Sequence, residues 1–289
     1  MAKSIDGNLA PLSSLTIVIP VHNGMPFIEN TLRDLLRESH QGFRVIVSED
    51  SSTDGTKQFL QTLKYNCLKI IETKSKISLS ENWTVGIIDV RTKYVKLLCA
   101  DDNFSLTFAL EAINLMEIDE NVIAVSGQSE VVNAVTGKKL RLRIGAWPFF
   151  GKMKCLNAYR LIMAIGRNIL GAPGAVVFRT ESLKEIMPWD DKYPYLIDVA
   201  TYLELFKKNP SKEIYFSRKV SSLFRLTPGS VTDVNRGSHS SQWNSVVREK
   251  SKNMGRYTRI LGLQGSLFVR VYGILRERAF RRIDKDVAL

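Results

Sequence analysis

The 289-residue sequence lacks several patterns that mark particular protein classes. Its three cysteines, Cys67, Cys99 and Cys155, are odd in number and have no metal-ligand spacing, so neither a disulfide framework nor a zinc site is expected. No window reaches the roughly 18 uninterrupted apolar residues of a membrane-spanning helix. No basic start followed by a long apolar core indicates a signal peptide. We therefore expect reduced thiols in a reducing, cytoplasmic compartment.

Two common nucleotide-binding signatures are also missing. The first predicted strand is followed neither by Gly-x-Gly-x-x-Gly nor by Gly-Lys-Ser/Thr, which argues against dinucleotide-binding and P-loop proteins. The sequence has no internal repeat and no low-complexity tract, so neither a solenoid nor a disordered chain is expected. A chain of this length can bury a sizeable core.

Charge is the compositional feature that stands out. The sequence has 41 Lys and Arg against 29 Asp and Glu, a formal net charge of +12. Such an excess indicates an anionic partner: nucleotide phosphates, an anionic lipid surface or nucleic acid. The basic residues concentrate near the C-terminus, and no zinc finger, RNP-like or helix-turn-helix signature is present. Nucleic-acid binding is therefore the weaker alternative, and no nucleic acid is expected as a partner.

The first hundred residues alternate between predicted strands and helices. This alternation predicts a mostly parallel sheet with helices on both faces. The predicted strands are 15–19, 43–47, 68–71 and 94–99, and the predicted helices follow Pro26, Thr53 and Ser80. Beyond residue 105 the pattern is mixed. Helices are predicted over 106–118, 156–165 and 196–207, strands over 122–132, 175–178 and 214–225, and a hairpin turn at 136–138.

The stretch from Lys96 to Asn103 carries the clearest chemical signal. An apolar run ends in two adjacent carboxylates, Asp101 and Asp102. Acids at the carboxyl end of a buried strand lie where open α/β sheets bind ligands. Two neighbouring carboxylates favour a hard divalent cation, Mg²⁺ or Mn²⁺, shared with substrate phosphates. The alternative is that one of them caps the helix beginning near Leu106.

Three motifs together resemble family two glycosyltransferases, which are inverting enzymes of the GT-A fold. The motifs span residues 16–24, 47–56 and 100–102, and the resemblance covers Leu15 to Leu226. It implies transfer of a sugar from a nucleotide-diphosphate sugar, such as a UDP-sugar, to a hydroxyl of a glycan or lipid-linked acceptor. Cell-surface polysaccharide biosynthesis is the expected setting. A sugar-phosphate nucleotidyltransferase is an alternative, but it would usually show a Gly-rich loop where this chain has Pro20 to Asn23.

The resemblance also implies the domain organisation. The fold class is α/β: a nucleotide-binding sheet flanked by helices, fused to a mixed acceptor-binding half and a helical C-terminal extension. A flexible N-terminal tail is expected over 1–14 and a catalytic domain over 15–235. Its nucleotide-binding half is 15–105 and its acceptor half is 106–235, and a basic helical extension follows over 236–289.

Donor-site roles follow from the same resemblance. Asp50 would contact the nucleobase, Asp101 the ribose and Asp102 the metal. The other nucleotide-binding residues expected are Pro20, His22, Asn23, Asn82 and Arg225. The alternative for Asp50 is an Asx-turn or a cap of the helix that opens near Thr53. Trp83, next to Asn82, is expected in the core.

The sequence departs from the family pattern at three positions. Glu49 replaces the usual Asp, which is a conservative change. Cys99 stands where many members have a third acid, and it is expected to be a small strand residue and not a nucleophile. Thr227 replaces a His in a late Arg-x-His-x-x-Ser segment, so position 227 is not expected to take the role of that His in the phosphate or acceptor site.

Inverting transfer needs a general base for the acceptor hydroxyl. In the family this acid opens a helix, and Asp198 matches that place. Its apolar neighbours should raise its pKa, which suits a base. The alternative is a plain helix cap. Asp190 and Asp191 are competing acids, but they are predicted to lie in a solvated turn.

The chain beyond about Ser240 is predicted to be helical and basic. Apolar residues at 267, 268, 271, 274 and 275 would form one helical face, with Arg270, Arg276 and Arg278 beside it. This pattern suits a helix lying on anionic lipid, and the inner face of the cytoplasmic membrane is the expected surface. The alternatives are packing on the catalytic domain or a homodimer contact.

Overall fold

The computed structural model describes residues 12–145, 148–227, 230, 234, 236–252 and 255–269. Most of the predicted N-terminal tail lies outside these residues. Its last three, Leu12–Ser14, form a short 3-10 helix in which Leu12 is buried. The prediction of a loose tail is therefore wrong for these three residues, because Leu12 packs into the apolar core beside the first strand.

The described residues form a ten-stranded mixed sheet in the order β3-β2-β1-β4-β9-β6-β10-β5, with β7 paired to β6 and β8 to β10. The strands are β1 Leu15–Val21, β2 Arg44–Glu49, β3 Leu68–Glu72, β4 Tyr94–Leu97, β5 Asn103–Phe104, β6 Val122–Asn133, β7 Lys139–Ile144, β8 Gly151–Lys154, β9 Val176–Arg179 and β10 Glu213–Leu226.

Helices cover the sheet and extend past it. They are α1 Phe27–Arg37, α2 Thr56–Thr62, α3 Leu79–Ile88, α4 Leu106–Ile118, α5 Cys155–Ile165, α6 Thr180–Lys184, α7 Ile197–Lys208, α8 His239–Lys250 and α9 255–269. None of the helices in these described ranges is long and apolar enough to cross a membrane.

The predicted parallel half is confirmed. β1 is buried along its whole length and pairs in parallel with β2 on one side and β4 on the other. The predicted end of β1 at residue 19, before Pro20, is wrong, because the pairing with β2 continues through Val21 opposite Glu49. On the other side the register with β4 ends at Val18, so β4 is not paired with Pro20.

Two helix caps decide questions that the sequence left open. Ser105 caps α4, since its side chain accepts from the backbone N–H of Phe108. The acids at 101 and 102 therefore do not cap that helix. Ser78, and not Ser80 as predicted, caps α3 in a capping box with Glu81. The backbone of Ser80 instead donates to Asp191, 111 residues away in the chain.

The predicted acceptor half, from residue 106 onward, continues the same sheet. β9 pairs antiparallel with β4, through Tyr94–Arg179 and Val95–Phe178, and also antiparallel with β6. The predicted strand over 214–225 is a single strand, β10, whose register with β6 shifts at three places. A buried 3-10 turn, Pro173–Ala175, leads into β9. The predicted loop at 171–174 therefore lies inside the protein and not on its surface.

The C-terminal helices pack on the acceptor half. Trp243 of α8 is fully buried, and the hydroxyl of Tyr159 in α5 donates to the backbone O of Lys250 over 2.7 Å. The chain is helical at 255–269, as predicted. Residues 270–289, which include much of the predicted basic face, lie outside the described residues.

Candidate active site

The loops after β1 and β2 form one surface at the carboxyl edge of the sheet. Asn23 adopts a left-handed backbone conformation, with φ 52°. Its Oδ1 accepts from the backbone N–H of Thr53 over 2.8 Å, and its own N–H donates to Ser52 Oγ over 2.9 Å. The backbone N–H of Gly24 donates to Thr56 Oγ1 over 2.9 Å. The predicted pocket residues Asn23 and His22 therefore lie on a preorganised loop pair.

Asp50 is buried where β2 ends. Its Oδ1 accepts from Thr73 Oγ1 over 3.0 Å and from the backbone N–H of Ile77 over 2.9 Å, both in the segment after β3. The backbone O of Asp50 accepts from Nδ1 of His22 over 2.6 Å. The carboxylate that turns the chain into α2 belongs instead to Asp54, which accepts from the N–H of Thr56. The alternative role of Asp50 as a cap of α2 is therefore excluded.

Asn82 lies behind this loop pair and not on its outer surface. Its buried amide accepts from Ser48 Oγ over 2.5 Å and donates to the backbone O of Val21 over 3.3 Å. The side chain thereby connects β1 and β2 near their carboxyl ends. Trp83 beside it is in the core, as expected, with its ring edge against Trp189 at a centroid distance of 5.0 Å.

Asp101 and Asp102 follow β4 and differ in their surroundings. Asp102 is buried, and its Oδ1 accepts from the backbone N–H of Arg225 over 3.0 Å. Its other oxygen, Oδ2, is buried and has no hydrogen-bond partner among the described residues. Asp101 is partly exposed, and its Oδ2 accepts from Thr227 Oγ1 over 2.7 Å. The guanidinium of Arg225 donates to the backbone O of Asp101 over 2.6 Å.

The ionised form of Asp102 is unfavourable at its buried position unless a positive charge lies nearby. Burial raises its pKa well above the usual range, and the neighbouring Asp101 carboxylate raises it further. Arg225 and Lys96 act in the opposite direction. Burial in turn lowers the pKa of Lys96 to about 7. The Lys96 ammonium donates to the backbone O of Gly174 and lies 5.0 Å from the centroid of the Phe104 ring.

The pair of carboxylates fits a divalent cation. The unpartnered Oδ2 of Asp102 faces Gly174, where a Cβ atom would come within 3.8 Å of it. No group of three or more His, Cys, Asp or Glu side chains is arranged to hold a metal in the described ranges. A cation there would therefore take most of its ligands from phosphate and water, as Mg²⁺ commonly does.

Asp198 lies in the first turn of α7, where the sequence places a base. Its Oδ2 accepts from Asn168 Nδ2 over 2.7 Å, and its Oδ1 from the backbone N–H of Val199. Burial raises the pKa of Asp198 to about 6, and these hydrogen bonds limit the rise. A carboxylate with such a pKa is ionised near neutral pH and basic enough to accept a proton.

The carboxylates of Asp101, Asp102 and Asp198 all act on the thiol of Cys99. Burial raises the pKa of the Cys99 thiol well above its usual range, and the carboxylates of Asp102, Asp101 and Asp198 add to the effect. Such a thiol stays protonated, in keeping with the expected non-nucleophilic role. The hydroxyl of Tyr202, one turn after Asp198, is also buried and lacks a partner in the part of the chain that the structure describes.

Two residues of this site were not singled out from the sequence. Lys96 lies within an apolar run, and its partner Gly174 is 78 residues away. Asn168 precedes the predicted loop at 171–174 and lies 30 residues from Asp198. A lysine within an otherwise buried strand was the one local signal available for Lys96. No local pattern points to Asn168.

The sequence is similar to a family model and to known proteins. The family model described as glycosyl transferase family 2 matches residues 16–187. TuaG of Bacillus subtilis, described as a teichuronic acid biosynthesis glycosyltransferase, is 31% identical over 103 residues, covering 34% of this chain and 38% of TuaG. The teichoic acid poly(glycerol phosphate) polymerase of Staphylococcus epidermidis is 29% identical over 112 residues, covering 36% of this chain and 15% of the polymerase. The chain spans well under half the length of these curated relatives.

Solved structures share the fold. Residues 1–349 of S. aureus TarS, in complex with UDP-GlcNAc, match with a TM-score of 0.66 at 15% identity, covering 88% of this chain and 71% of that one. The mannosyltransferase PcManGT from Pyrobaculum calidifontis, with GDP-Man and Mn²⁺, matches with a TM-score of 0.57 at 14% identity, covering 94% and 78%. The predicted α/β fold of GT-A type is confirmed.

Proposed function

The chain belongs to glycosyl transferase family 2, and from that premise we propose that it is an inverting glycosyltransferase that moves a sugar from a nucleotide-diphosphate sugar to an acceptor hydroxyl. The observation that carries this proposal is the arrangement around Cys99. The carboxylates of Asp101, Asp102 and Asp198 are all close enough to that thiol to raise its pKa. Inverting transfer needs a diphosphate site and a base on opposite sides of one sugar.

In this mechanism Asp198 accepts the proton of the acceptor hydroxyl. The hydroxyl oxygen forms a bond to the anomeric carbon from the face opposite the diphosphate. The bond between that carbon and the phosphate oxygen breaks, and its electron pair leaves with the nucleoside diphosphate. Asp50 and the loop pair after β1 and β2 would hold the nucleobase, supported by the burial of Asp50 and its two hydrogen bonds.

Asp102 would hold Mg²⁺ or Mn²⁺, with Asp101 contacting the ribose. A bound divalent cation supplies neutralisation of the charge that develops on the leaving diphosphate. Arg225 lies next to both acids through its backbone N–H and its guanidinium, so it adds positive charge to the same place. Metal dependence is supported by the unpartnered oxygen of Asp102.

The acceptor we propose is a glycan or a lipid-linked glycan of cell-surface polysaccharide biosynthesis. The similarity to TuaG and to the teichoic acid polymerase supports this setting. A UDP-sugar is the first donor to test, because TarS has been crystallised with UDP-GlcNAc. A lipid-linked acceptor would bring the enzyme to a membrane surface.

A binding screen with paired variants tests the proposal. The thermal midpoint of the wild type is measured with a panel of nucleotide sugars, with and without Mn²⁺, since a true donor stabilises the fold by mass action. Sugar transfer is then assayed with the stabilising donor. Asp102→Asn should lose the metal-dependent part of the thermal shift, whereas Asp198→Asn should keep the shift and lose roughly 10²- to 10⁴-fold in kcat.

Asp34→Asn makes the same chemical change at an exposed position of α1 and is the matched control. It should match the wild type in both assays. Absence of a thermal shift with every nucleotide sugar would overturn the donor assignment. Full transfer activity in Asp198→Asn would overturn the assignment of the base.

A further inference from the structure

α9 has an apolar face that points away from the protein. The residues on this face are large and strongly exposed, which is unusual for one short helix of a soluble domain. They are Tyr257 (60% exposed), Ile260 (62%), Leu263 (69%), Leu267 (64%) and Phe268 (50%). Their spacing places them along one side of the helix. We refer to these five residues as the outer face of α9.

The opposite side of α9 is fixed to α5. A Cβ atom at Gly265 would lie 2.0 Å from the backbone O of Met163, and one at Gly262 would lie 3.0 Å from Met163 Cε. Thr258 and Val269, on the same side, are buried. The two glycines let the helix backbones approach closely. The helix therefore cannot rotate to bury its outer face without losing this contact.

The charged residues of α9 are all positive. Arg256 and Arg259 are exposed on α9. The sequence contains no Asp or Glu from Ser251 to Leu275. A helix that combines large exposed apolar residues with flanking arginines has the character of one that lies in the interface of an anionic bilayer.

We propose that the outer face of α9 docks on an anionic lipid surface. Charge complementarity favours this occupant over a second copy of the chain. A two-fold contact through the same face would bury Arg256 and Arg259 against a second copy of α9, which has no acidic residue to pair with them. Lipid phosphates would instead meet these arginines while the apolar side chains enter the acyl boundary.

The position of α9 gives this docking a consequence for catalysis. A Cβ atom at Gly166 would lie 2.6 Å from the backbone O of Gly265 and 2.3 Å from a methyl of Val269. Two residues after Gly166, Asn168 bonds Asp198. The packed side of α9 therefore adjoins the segment that bonds Asp198, so docking through the outer face would hold the acceptor side of the site near the membrane, which suits a lipid-linked acceptor. This orientation rests on the proposed function, whereas the docking itself does not.

Vesicle flotation with the whole 289-residue chain, in the absence of any sugar, tests the proposal. Vesicles of phosphatidylcholine alone are compared with vesicles that also contain phosphatidylglycerol. The wild type should float with the anionic vesicles and remain unbound with the neutral ones. Leu263→Gln combined with Leu267→Gln should weaken binding at least about tenfold, because apolar burial drives interfacial insertion. Arg256→Gln combined with Arg259→Gln should weaken it as well.

The matched control is Ile88→Gln combined with Ile118→Gln, which changes two exposed apolar residues on other helices. It should bind like the wild type. Absence of vesicle binding by the wild type would overturn the proposal. So would a concentration-dependent dimer in sedimentation that the Leu263 and Leu267 variant abolishes, since a second copy would then occupy the face. Equal binding by that variant and the control would also overturn it. None of these results depends on sugar transfer.

Discussion

The side-chain amide of Asn168 donates to Oδ2 of Asp198 across 2.7 Å, and the same amide organises the loop that follows it. Its Oδ1 accepts from the backbone N–H groups of Leu170 and Gly171, and its Nδ2 also donates to the backbone O of Gly171. One neutral side chain therefore orients the candidate base and holds the buried loop beside it. Its hydrogen bond favours the ionised form of Asp198 and keeps the pKa of that group from rising further.

Asn168→Asp should move the acid limb of the pH–rate profile. The substitution keeps an oxygen for the loop N–H groups, removes the donor to Asp198 and places a second carboxyl beside it. Both effects disfavour the ionised form, so the apparent pKa of Asp198 should rise above about 6. We expect a shift of roughly one pH unit in kcat/KM, with part of the loss recovered at high pH.

Asn30→Asp is the control for this change, because it introduces a carboxyl at an exposed position of α1. Its pH profile should superimpose on that of the wild type. A uniform loss of activity at all pH values in Asn168→Asp, with no shift of the limb, would show that Asn168 matters through the loop and not through Asp198.

Asp198→Asn should change how stability depends on pH. Burial raises the pKa of Asp198 to about 6 from an ordinary value of 3.8, so the folded chain holds this proton to a higher pH than the unfolded chain. The contribution of Asp198 to stability therefore falls as pH rises from about 4 to about 6 and stays lower above that range. Asparagine does not titrate. The thermal midpoint of the variant relative to the wild type should thus increase between pH 4 and pH 7, and a constant difference would contradict the raised pKa.

Lys96→Met should tighten Mn²⁺ binding. The Lys96 ammonium is buried, and its charge acts on Asp102, so it repels a cation held by that carboxylate. Removing it should strengthen Mn²⁺ affinity about three- to tenfold, which corresponds to about 1 kcal/mol. Electron paramagnetic resonance of free Mn²⁺ measures this in the presence of a nucleoside diphosphate, which supplies the phosphate ligands. Lys93→Met, at an exposed lysine near the start of β4, should leave the affinity unchanged. Weaker Mn²⁺ binding in Lys96→Met would contradict this expectation. It would show that the hydrogen bond from Lys96 to the backbone O of Gly174 is needed to shape the metal site, and that this effect is larger than the repulsion between the Lys96 charge and the metal.

Gly86→Ala should destabilise the predicted nucleotide-binding half, residues 15–105. Gly86 is where α3 approaches β1, and a Cβ atom there would come within 2.4 Å of Val18 Cγ1. Val18 is buried and β-branched, so its side chain cannot easily rotate away from an added Cβ atom. The overpacking should outweigh the gain in helix propensity and lower the free energy of unfolding by about 1–2 kcal/mol, measured by urea titration. Gly237→Ala, at a glycine with nothing within 4 Å, should be neutral. Equal stability of the two variants would mean that α3 can move away from the sheet.

Local sequence patterns predicted the helices and strands of residues 15–105, the nucleotide-binding half. They predicted the arrangement of residues 106–235, the acceptor half, only in part. Buried strands and amphipathic helices carry their own periodicity, so α4 was predicted at its observed bounds, Leu106–Ile118. The cap of α3 was misplaced by two residues, although Ser78 and Glu81 show the capping-box spacing. The insertion of β9 between β4 and β6 depends on pairing between distant segments, which no local pattern encodes.

The candidate site, like the fold, was predicted only in part from the sequence. Asp50, Asp101 and Asp102 follow predicted parallel strands, and such strands place their carboxyl ends at one edge. The roles assigned to individual residues remain predictions. The contact of Asn168 with Asp198 and that of Lys96 with Gly174 link residues 30 and 78 positions apart. Only the folded chain brings those pairs together.

The antiparallel pairing between β4 and β9 joins the predicted nucleotide-binding and acceptor halves into one sheet. The two halves therefore share main-chain hydrogen bonds and are not modules that a linker connects. Exchanging the acceptor half for that of another enzyme would cut through these bonds, so such chimeras should lose their fold before they change specificity. Acceptor preference in this chain can therefore evolve through substitutions in side chains and loops at the sheet edge. It cannot evolve through the exchange of one half for that of another enzyme.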